Sequence, residues 1–375
     1  EAQHPGVKIN VTPLENEAFK SKLTTVTQAG TPPDIFHSWG GGTLRQQVEA
    51  SLVKDLTADF APLKDTFSPL STQSYQVNNK TYGVPFDLGM VGFWYNKQLF
   101  EQVGVTAAPA TWTGLLDVVR KLKGAGIAPI ALAGGDKWPG HYYWAYLAMR
   151  IGGLDALTKA AAAKQFSTPD FVAAGTRLKE LVDLAPFQKG FLAATYSSSD
   201  GQAATMGNGK AAMELMGQWA PSVQASTATD KKGLGDKLGF FPFPAVEGGK
   251  GKLTEAFGGG NGHAVGRNAP PEAVEFLKFI AKVDNQRKAA ASGAVLPVIK
   301  GAEDAIKDPN QLVVSKALAA ASGFQLYLDQ AFAPAVGQQV NDSVAELMAG
   351  KASPEQVCKA VTDAEGFTWV DGQVR

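Results

Sequence analysis

The sequence predicts an α/β protein of two domains, and three observations predict it. Its 375 residues, 39.4 kDa, exceed what one compact core serves and suit two. Strand-like and helix-like patterns alternate along the chain. No period of about 20–50 residues recurs, which excludes solenoids and propellers.

Taken in order, Val7–Val11 (VKINV) reads as a short strand and Glu15–Gln28 as a helix. Asp34-Ile35-Phe36 reads as a second strand, ending at the turn Gly40-Gly41-Gly42, which is βαβ grammar. Phe93, Trp94 and Tyr95 alternate as on a strand, so neighbouring rings point to opposite faces. Trp112, after Pro109-Ala110-Thr111, reads as a plug at a helix start. Ile127–Ala133 is a buried strand running into the small-residue turn Gly134-Gly135-Asp136, and Lys210–Met216 is another strand. Leu253–Val265 is a glycine-rich extended segment. Asn268-Ala-Pro-Pro-Glu272 followed by Val274, Leu277 and Ile280 reads as a capped amphipathic helix. Val336, Val340, Val344 and Leu347 mark one more. Ser353-Pro354-Glu355-Gln356 is a capping box with proline at the first helical position, which places Cys358 inside a short helix as a packing residue, and Trp369 reads as C-terminal packing.

Composition narrows the function. Lys+Arg and Asp+Glu are 35 each, the pI is near 7.2 and 19% of residues are charged, so there is no electrostatic footprint for nucleic acid or an anionic membrane. Mean hydropathy is −0.09, and runs such as Ile127–Ala133 are far shorter than a membrane span. The single Cys358 allows no internal disulfide or thiolate zinc cluster. Four scattered histidines (His4, His37, His141, His263) argue against a His-built metal site, and no cofactor is expected. The chain begins at Glu1 without Met, signal peptide or lipobox, so its compartment is inferred indirectly.

Aromatic residues are the most informative feature. Trp138-Pro-Gly-His141-Tyr142-Tyr143-Trp144-Ala-Tyr146 packs five of the fifteen Trp and Tyr residues into nine positions. Rings with apolar faces and polar edges suit a ligand with C–H faces and hydroxyl rims, and carbohydrate is the obvious case. Tyr143, Leu147 and Ile151 read as helix core, whereas Trp138, His141, Tyr142 and Trp144 straddle a loop-to-helix junction and are candidates to touch ligand. Trp39, in Phe36-His37-Ser-Trp39-Gly, lies at the carboxyl end of a strand, where α/β ligand sites form. Trp219, in Met216-Gly-Gln-Trp219-Ala-Pro, follows the next strand beside small residues and reads as a binding platform.

The sequence carries no catalytic constellation of the common kinds: no Gly-x-Ser-x-Gly, Walker loop or His-Glu-x-x-His occurs, and Gly258-Gly-Gly-Asn-Gly262 lacks a following Lys-Ser/Thr. A glycosidase needs two converging carboxylates. Asp87, Glu214 and Asp329 are the acids near aromatic motifs, and a role in hydrogen-bonding hydroxyls or backbone suits them better than proton donation.

The order of motifs is more specific than any one of them. Thr31-Pro-Pro-Asp34-Ile-Phe, Lys80-Thr-Tyr-Gly-Val-Pro85-Phe-Asp, Phe93-Trp-Tyr-Asn-Lys97-Gln-Leu-Phe100, Gly104-Val with Pro109-Ala-Thr-Trp112, Gly207-Asn-Gly-Lys-Ala-Ala-Met213 with Gly217-Gln-Trp219, Gly258-Gly-Gly with Pro271-Glu-Ala-Val-Glu-Phe-Leu, and Leu347-Met-Ala-Gly350 with Ser353-Pro-Glu together resemble the family 1 extracellular solute-binding proteins. These are maltose-binding-protein-like sugar receptors of ABC importers. The resemblance implies a type II periplasmic-binding-protein-like fold, in which two α/β lobes joined by hinge crossings trap sugar in the interlobe cleft. Lobe 1 would comprise 1–89 plus 262–298, and lobe 2 90–261 plus 299–375. The crossings would lie near Asp87–Val91, Phe257–Gly262 and Gly293–Lys300, where glycines would absorb rotation. Family members usually carry one further strand and helix, on the order of 25–30 residues, before the part matching Glu1–Val11.

Carried onto this sequence, the resemblance implies ligand contacts from His37, Trp39 and Asp87, from Trp138, His141, Tyr142, Trp144 and Trp219, from Gly260 and Asn261 at the second crossing, and from Tyr327 and Asp329. It implies a binder and not an enzyme, a monomer partnered by the importer's permease subunits and not by nucleic acid. The expected location is extracellular, as a membrane-anchored lipoprotein of a Gram-positive cell, or periplasmic. Asp136-Lys-Trp-Pro-Gly-His-Tyr-Tyr-Trp144 resembles the xylo-oligosaccharide-binding subgroup, which ranks xylobiose-type β-1,4-xylo-oligosaccharides first and cellobiose or chitobiose-type disaccharides second. A secreted glycoside-active enzyme or a surface lectin would be the rival classes.

Overall fold

A computed structural model describes residues 4–293 and 295–364, so Trp369 lies outside the described residues. Among the described residues three sheets of three or four strands carry the fold, beside a two-stranded ladder of 76–77 and 80–81. The first has the order β1 (Ile35–Ser38), β9 (Gly262–Val265), β2 (Gly83–Pro85), all antiparallel. The second is β10 (Gly323–Leu326), β8 (Glu255–Gly259), β3 (Gly89–Met90). The third is β5 (Ala128–Ile130), β6 (Ala211–Met216), β4 (Gly92–Asn96), β7 (Leu238–Phe241), with β5 and β6 parallel. The helices that matter to the site are α1 (Asn16–Gln28), α2 (Gly41–Glu49), α3 (Trp112–Gly124), α4 (Trp138–Gly152), α5 (Pro169–Asp183), α6 (Pro271–Ile280), α7 (Pro334–Met348) and α8 (Pro354–Asp363).

The core is divided. One large apolar cluster surrounds the second and third sheets and α3, α4, α5, α7 and α8. Two smaller clusters lie on the first sheet, one around Phe60, Val265 and Leu277 and the other around Leu23, Phe36 and Leu44. A chain this long thus forms a mixed α/β architecture with separate cores rather than one.

Most elements follow their sequence signals. Trp112 is fully buried at the start of α3, stacked at 5.8 Å on Phe243, while Thr111 Oγ1 accepts the Gly114 N–H. In the capping box of α8, Ser353 N donates to Gln356 Oε1 at 2.7 Å and Ser353 Oγ accepts from Gln356 N at 3.3 Å. Cys358 is buried in that helix, and burial pushes its thiol up to about 12, which leaves it protonated and inert.

Four expectations are corrected. Val7–Val11 forms no strand: it lies at the surface with Val11 79% exposed, and among the described residues the ladder of β1 is with β9. Ile127–Ala133 is a strand only over Ala128–Ile130, and beyond it two side-chain amides replace the ladder, Gln188 Oε1 accepting from Leu132 N and Gln202 Oε1 from Ala133 N. The α6 helix begins at Pro271 with Pro270 as its N-cap, so Asn268 does not cap it.

The fourth concerns the glycines of the three segments expected to cross. Those segments lie side by side: Val91 N donates to Phe257 O at 2.8 Å, Phe86 N to Asn261 O at 2.7 Å and Leu88 N to Leu296 O at 3.3 Å. A Cβ on Gly258 would lie 2.2 Å from Gly89 O, and one on Gly260 would lie 2.1 Å from Asp87 O. These glycines therefore permit close backbone approach, and neither has a positive φ. Gly293, at φ +75 with open space around it, is the one whose conformation requires glycine.

Candidate functional site

The turn before α4 sets up the site. A Cβ on Gly134 would lie 2.7 Å from Phe191 O and one on Gly135 2.9 Å from Ala194 O, so only glycine lets this turn pack against 191–196. Their N–H groups donate to those same two carbonyls. The packing brings Tyr196 to the turn, where its N–H donates to Asp136 Oδ2 at 2.7 Å and its ring stands edge-on to Trp138 at 5.4 Å. Trp138 then meets Tyr142 at 5.7 Å, one turn further along α4, and Tyr142 stacks on Tyr327 at 5.4 Å and 23°.

Trp219 completes this wall. It lies 6.5 Å from Trp138 and 6.2 Å from Tyr327, with its ring over Gly217, where a Cβ would be 2.2 Å from a ring carbon. The small residue beside the ring, visible in the sequence, is thus the floor on which the ring lies. Trp94 Nε1 donates to both Met216 O and Gly217 O and pins the end of β6 beneath it.

The opposing wall comes from β1 and α1. His37 and Trp39 rings lie 4.4 Å apart, Phe19 of α1 stands edge-on to both at 5.5 and 5.7 Å, and Lys20 Nζ is 5.9 Å from the Trp39 ring. His263, the cross-strand partner of His37, is 6.5 Å from it. Burial, with His263 adding to it, lowers His37 to about 4, and burial lowers His263 too, so both imidazoles are neutral near pH 7.

Between these walls lies a cavity of about 1390 Å³ that continues along residues 7–14 and α6. Of the residues expected to touch ligand, His37, Trp39, Trp138, Tyr142, Trp219, Gly260, Asn261, Tyr327 and Asp329 border it. Three do not. Trp144 is wholly buried, 5.3 Å from Phe171 of α5, because it sits on the face of α4 turned to α5 and not on the face bearing Trp138 and Tyr142. His141 is wholly buried too, edge-on to Tyr142 and Phe257, with Nε2 4.0 Å from Asp329; burial lowers its pKa. Asp87 accepts from Asn261 N at 2.6 Å and from Asn261 Nδ2 at 2.9–3.0 Å, so it ties adjacent backbone segments together; burial raises it to about 6 against those hydrogen bonds.

Phe19, Asp136 and Tyr196 border the cavity and were not expected there. Asp136 stood in the glycine turn beside the aromatic run, a signal that could have found it. Tyr196 and Phe19 arrive from distant segments and left none. Glu214, one of the three acids considered for catalysis, lies beneath the site, accepting from Gln202 Nε2 and Gln224 Nε2, and burial raises it to about 7. Asp329 alone of those three borders the cavity. Among the described residues no group of three or more His, Cys, Asp or Glu is placed to hold a metal ion, and no helix is long and apolar enough to cross a membrane.

The sequence profile of the bacterial extracellular solute-binding proteins matches residues 1–287. A structure from a study of xylan utilization by the thermophilic bacterium Caldanaerobius polysaccharolyticus is similar at 31% identity and a TM-score of 0.88, over 96% of this chain and 92% of that one. A chitin oligosaccharide binding protein is similar at 28% identity and a TM-score of 0.87, over 96% and 90%. An uncharacterized ABC transporter extracellular-binding protein of Pyrococcus horikoshii is 26% identical over 97% of this chain and 80% of its own length.

Proposed function

The chain belongs to the bacterial extracellular solute-binding proteins and has their two-lobe α/β fold, and from that premise we propose that it is the carbohydrate receptor of an ABC importer, a binder and not a catalyst. The observation that carries this reading is the pair of facing aromatic walls, Trp138, Tyr142, Trp219 and Tyr327 on one side and Phe19, His37 and Trp39 on the other, around one cavity. Ring faces take the C–H faces of pyranoses, and the polar edges take hydroxyls. We assign lobe 1 to 1–89 plus 262–298 and lobe 2 to 90–261 plus 299–375, a division in keeping with the separate cores and with the three segments bonded side by side at Asp87, Asn261 and Leu296. A ligand touched by both lobes binds the closed state better and shifts the equilibrium toward it, and the closed form is what a permease would recognise.

For the ligand we propose β-1,4-xylo-oligosaccharides, xylobiose first, in line with the relative from xylan utilization; the similar chitin oligosaccharide binder supports chitobiose or cellobiose as the second reading. Anchoring as a lipoprotein and the monomeric state belong to the same proposal. Calorimetric titration with xylobiose, xylotriose, cellobiose and chitobiose tests it. One of them should bind with Kd on the order of micromolar or tighter, unchanged by EDTA. Stabilisation by a free amino acid or a peptide alone would overturn it.

A further inference from the structure

Resting on the sugar-receptor reading, we infer that Asp136 and Asp329 make this cleft selective for uncharged oligosaccharides and closed to uronate-bearing ones of the same size and linkage. Both carboxylates border the cavity, Asp136 at the Trp138 end and Asp329 beside Tyr327. Among the described residues neither forms an ion pair with a lysine or arginine. Lys137, next to Asp136 in sequence, is paired with Asp342 at 2.7 Å. Of the five lysines that border the cavity, Lys20, near the Trp39 ring, is bonded to Glu17 at 2.9 Å and Lys278 to Glu275 at 2.9 Å, while Lys8, Lys22 and Lys282 line its continuation along residues 7–14 and α6. Asp136 accepts a backbone N–H from Tyr196 and feels the like charges of Glu17 and Glu15 more strongly than the opposite charge of Lys20. Asp329 accepts from the neutral amide of Asn341 at 3.3 Å, and its nearest imidazole, His141, is kept neutral by burial. On the opposite wall His37 is neutral as well, so it offers an anion nothing.

A second observation points to hydroxyl-bearing ligand at the same place. Trp138 Nε1 and Tyr327 Oη are buried on the cavity wall and meet no protein acceptor among the described residues. Two donors and two carboxylate acceptors thus border one cavity, the complement that vicinal hydroxyls need, each hydroxyl donating to one group and accepting from another. A ligand carboxylate can accept from the two donors but must then lie beside an uncompensated carboxylate in a cleft partly shielded from water, where like-charge repulsion is several times stronger than in bulk solvent.

The test is calorimetric titration of the whole chain with three probes: a linear xylo-oligosaccharide, the same backbone bearing a glucuronosyl side group, and that compound with its carboxyl reduced to hydroxymethyl. The linear and reduced probes should bind. The uronate should bind about tenfold weaker or worse than its reduced twin, the gap should shrink as salt is added, and Asp136→Asn with Asp329→Asn should bring it to within about threefold. Equal affinity for the reduced twin and the uronate in the unaltered chain would overturn the inference and leave the receptor reading intact. So would a gap that persists in the double variant, or rejection of both branched probes, because exclusion would then be one of shape. Failure of every oligosaccharide to bind would instead remove the receptor reading, and this inference with it.

Discussion

Trp144 and Trp219 lie 75 positions apart in the chain and have opposite fates, which makes them a matched pair of probes. Trp219→Ala removes a ring that borders the cavity, so sugar affinity should fall about tenfold or more with little loss of stability. Trp144→Ala empties a core site beside Phe166 and Phe171 and should cost about 3–5 kcal/mol of stability, with affinity retained in the folded fraction. Chemical denaturation alongside titration separates the two. Glu214 makes a second prediction. Its ordinary pKa of 4.5 is raised to about 7 by burial. Between those values the unfolded chain gives up the proton and the folded chain keeps it, so stability falls as pH rises and the loss is complete above about pH 7. It amounts to about 3 kcal/mol. Glu214→Gln should remove this slope in denaturation midpoints measured from pH 4 to 8. The amide is accommodated because Gln224 Oε1 has no other partner and can turn to accept, while Gln202 Oε1 stays with Ala133 N.

At the level of elements, the segments meeting at Asp87, Gly258 and Asn261 leave no room for a methyl group. Gly258→Ala should destabilise by about 1–3 kcal/mol through the clash with Gly89 O, whereas Gly293→Ala should act through its positive φ alone, by about 1 kcal/mol. Thermal melts of the two variants would show a larger drop for the first; the reverse order would restore rotation as the purpose of Gly258. This is also where legibility ended. Helices with periodic apolar faces, such as those holding Leu277 and Cys358, were readable because their signals are local. Glycine at 258 was readable as special but not in its reason, since close approach depends on a strand more than 160 positions away. VKINV failed as a strand because alternation specifies only which side chains share a face, and here Ile9 and Val11 stay exposed. Within the site, residues in the Trp138 turn were found by density, and the error at Trp144 came from grouping it with Trp138, His141 and Tyr142 at the loop-to-helix junction, although six residues past Trp138 it faces another side of the helix. Tyr196 and Phe19 were missed because nothing near them in sequence names their partners.

For the molecule as a whole, saturating ligand should reduce the radius of gyration, since walls borne by different sheets must approach to share one small solute. X-ray scattering with and without xylobiose checks this, and an unchanged radius would mean that binding proceeds without lobe movement. The distribution of indole rings has an optical consequence. Trp39, Trp138 and Trp219 border the cavity, whereas Trp94, Trp112 and Trp144 are sealed in the core at 0% exposure. Among the described residues the indoles therefore form two populations of emitters, one whose surroundings a ligand replaces and one that it never reaches. With Trp369, which lies outside the described residues, replaced by Phe, iodide should quench only the first, and ligand should protect that fraction from the quencher while leaving the core emission unchanged, so the chain is its own internally referenced optical sensor.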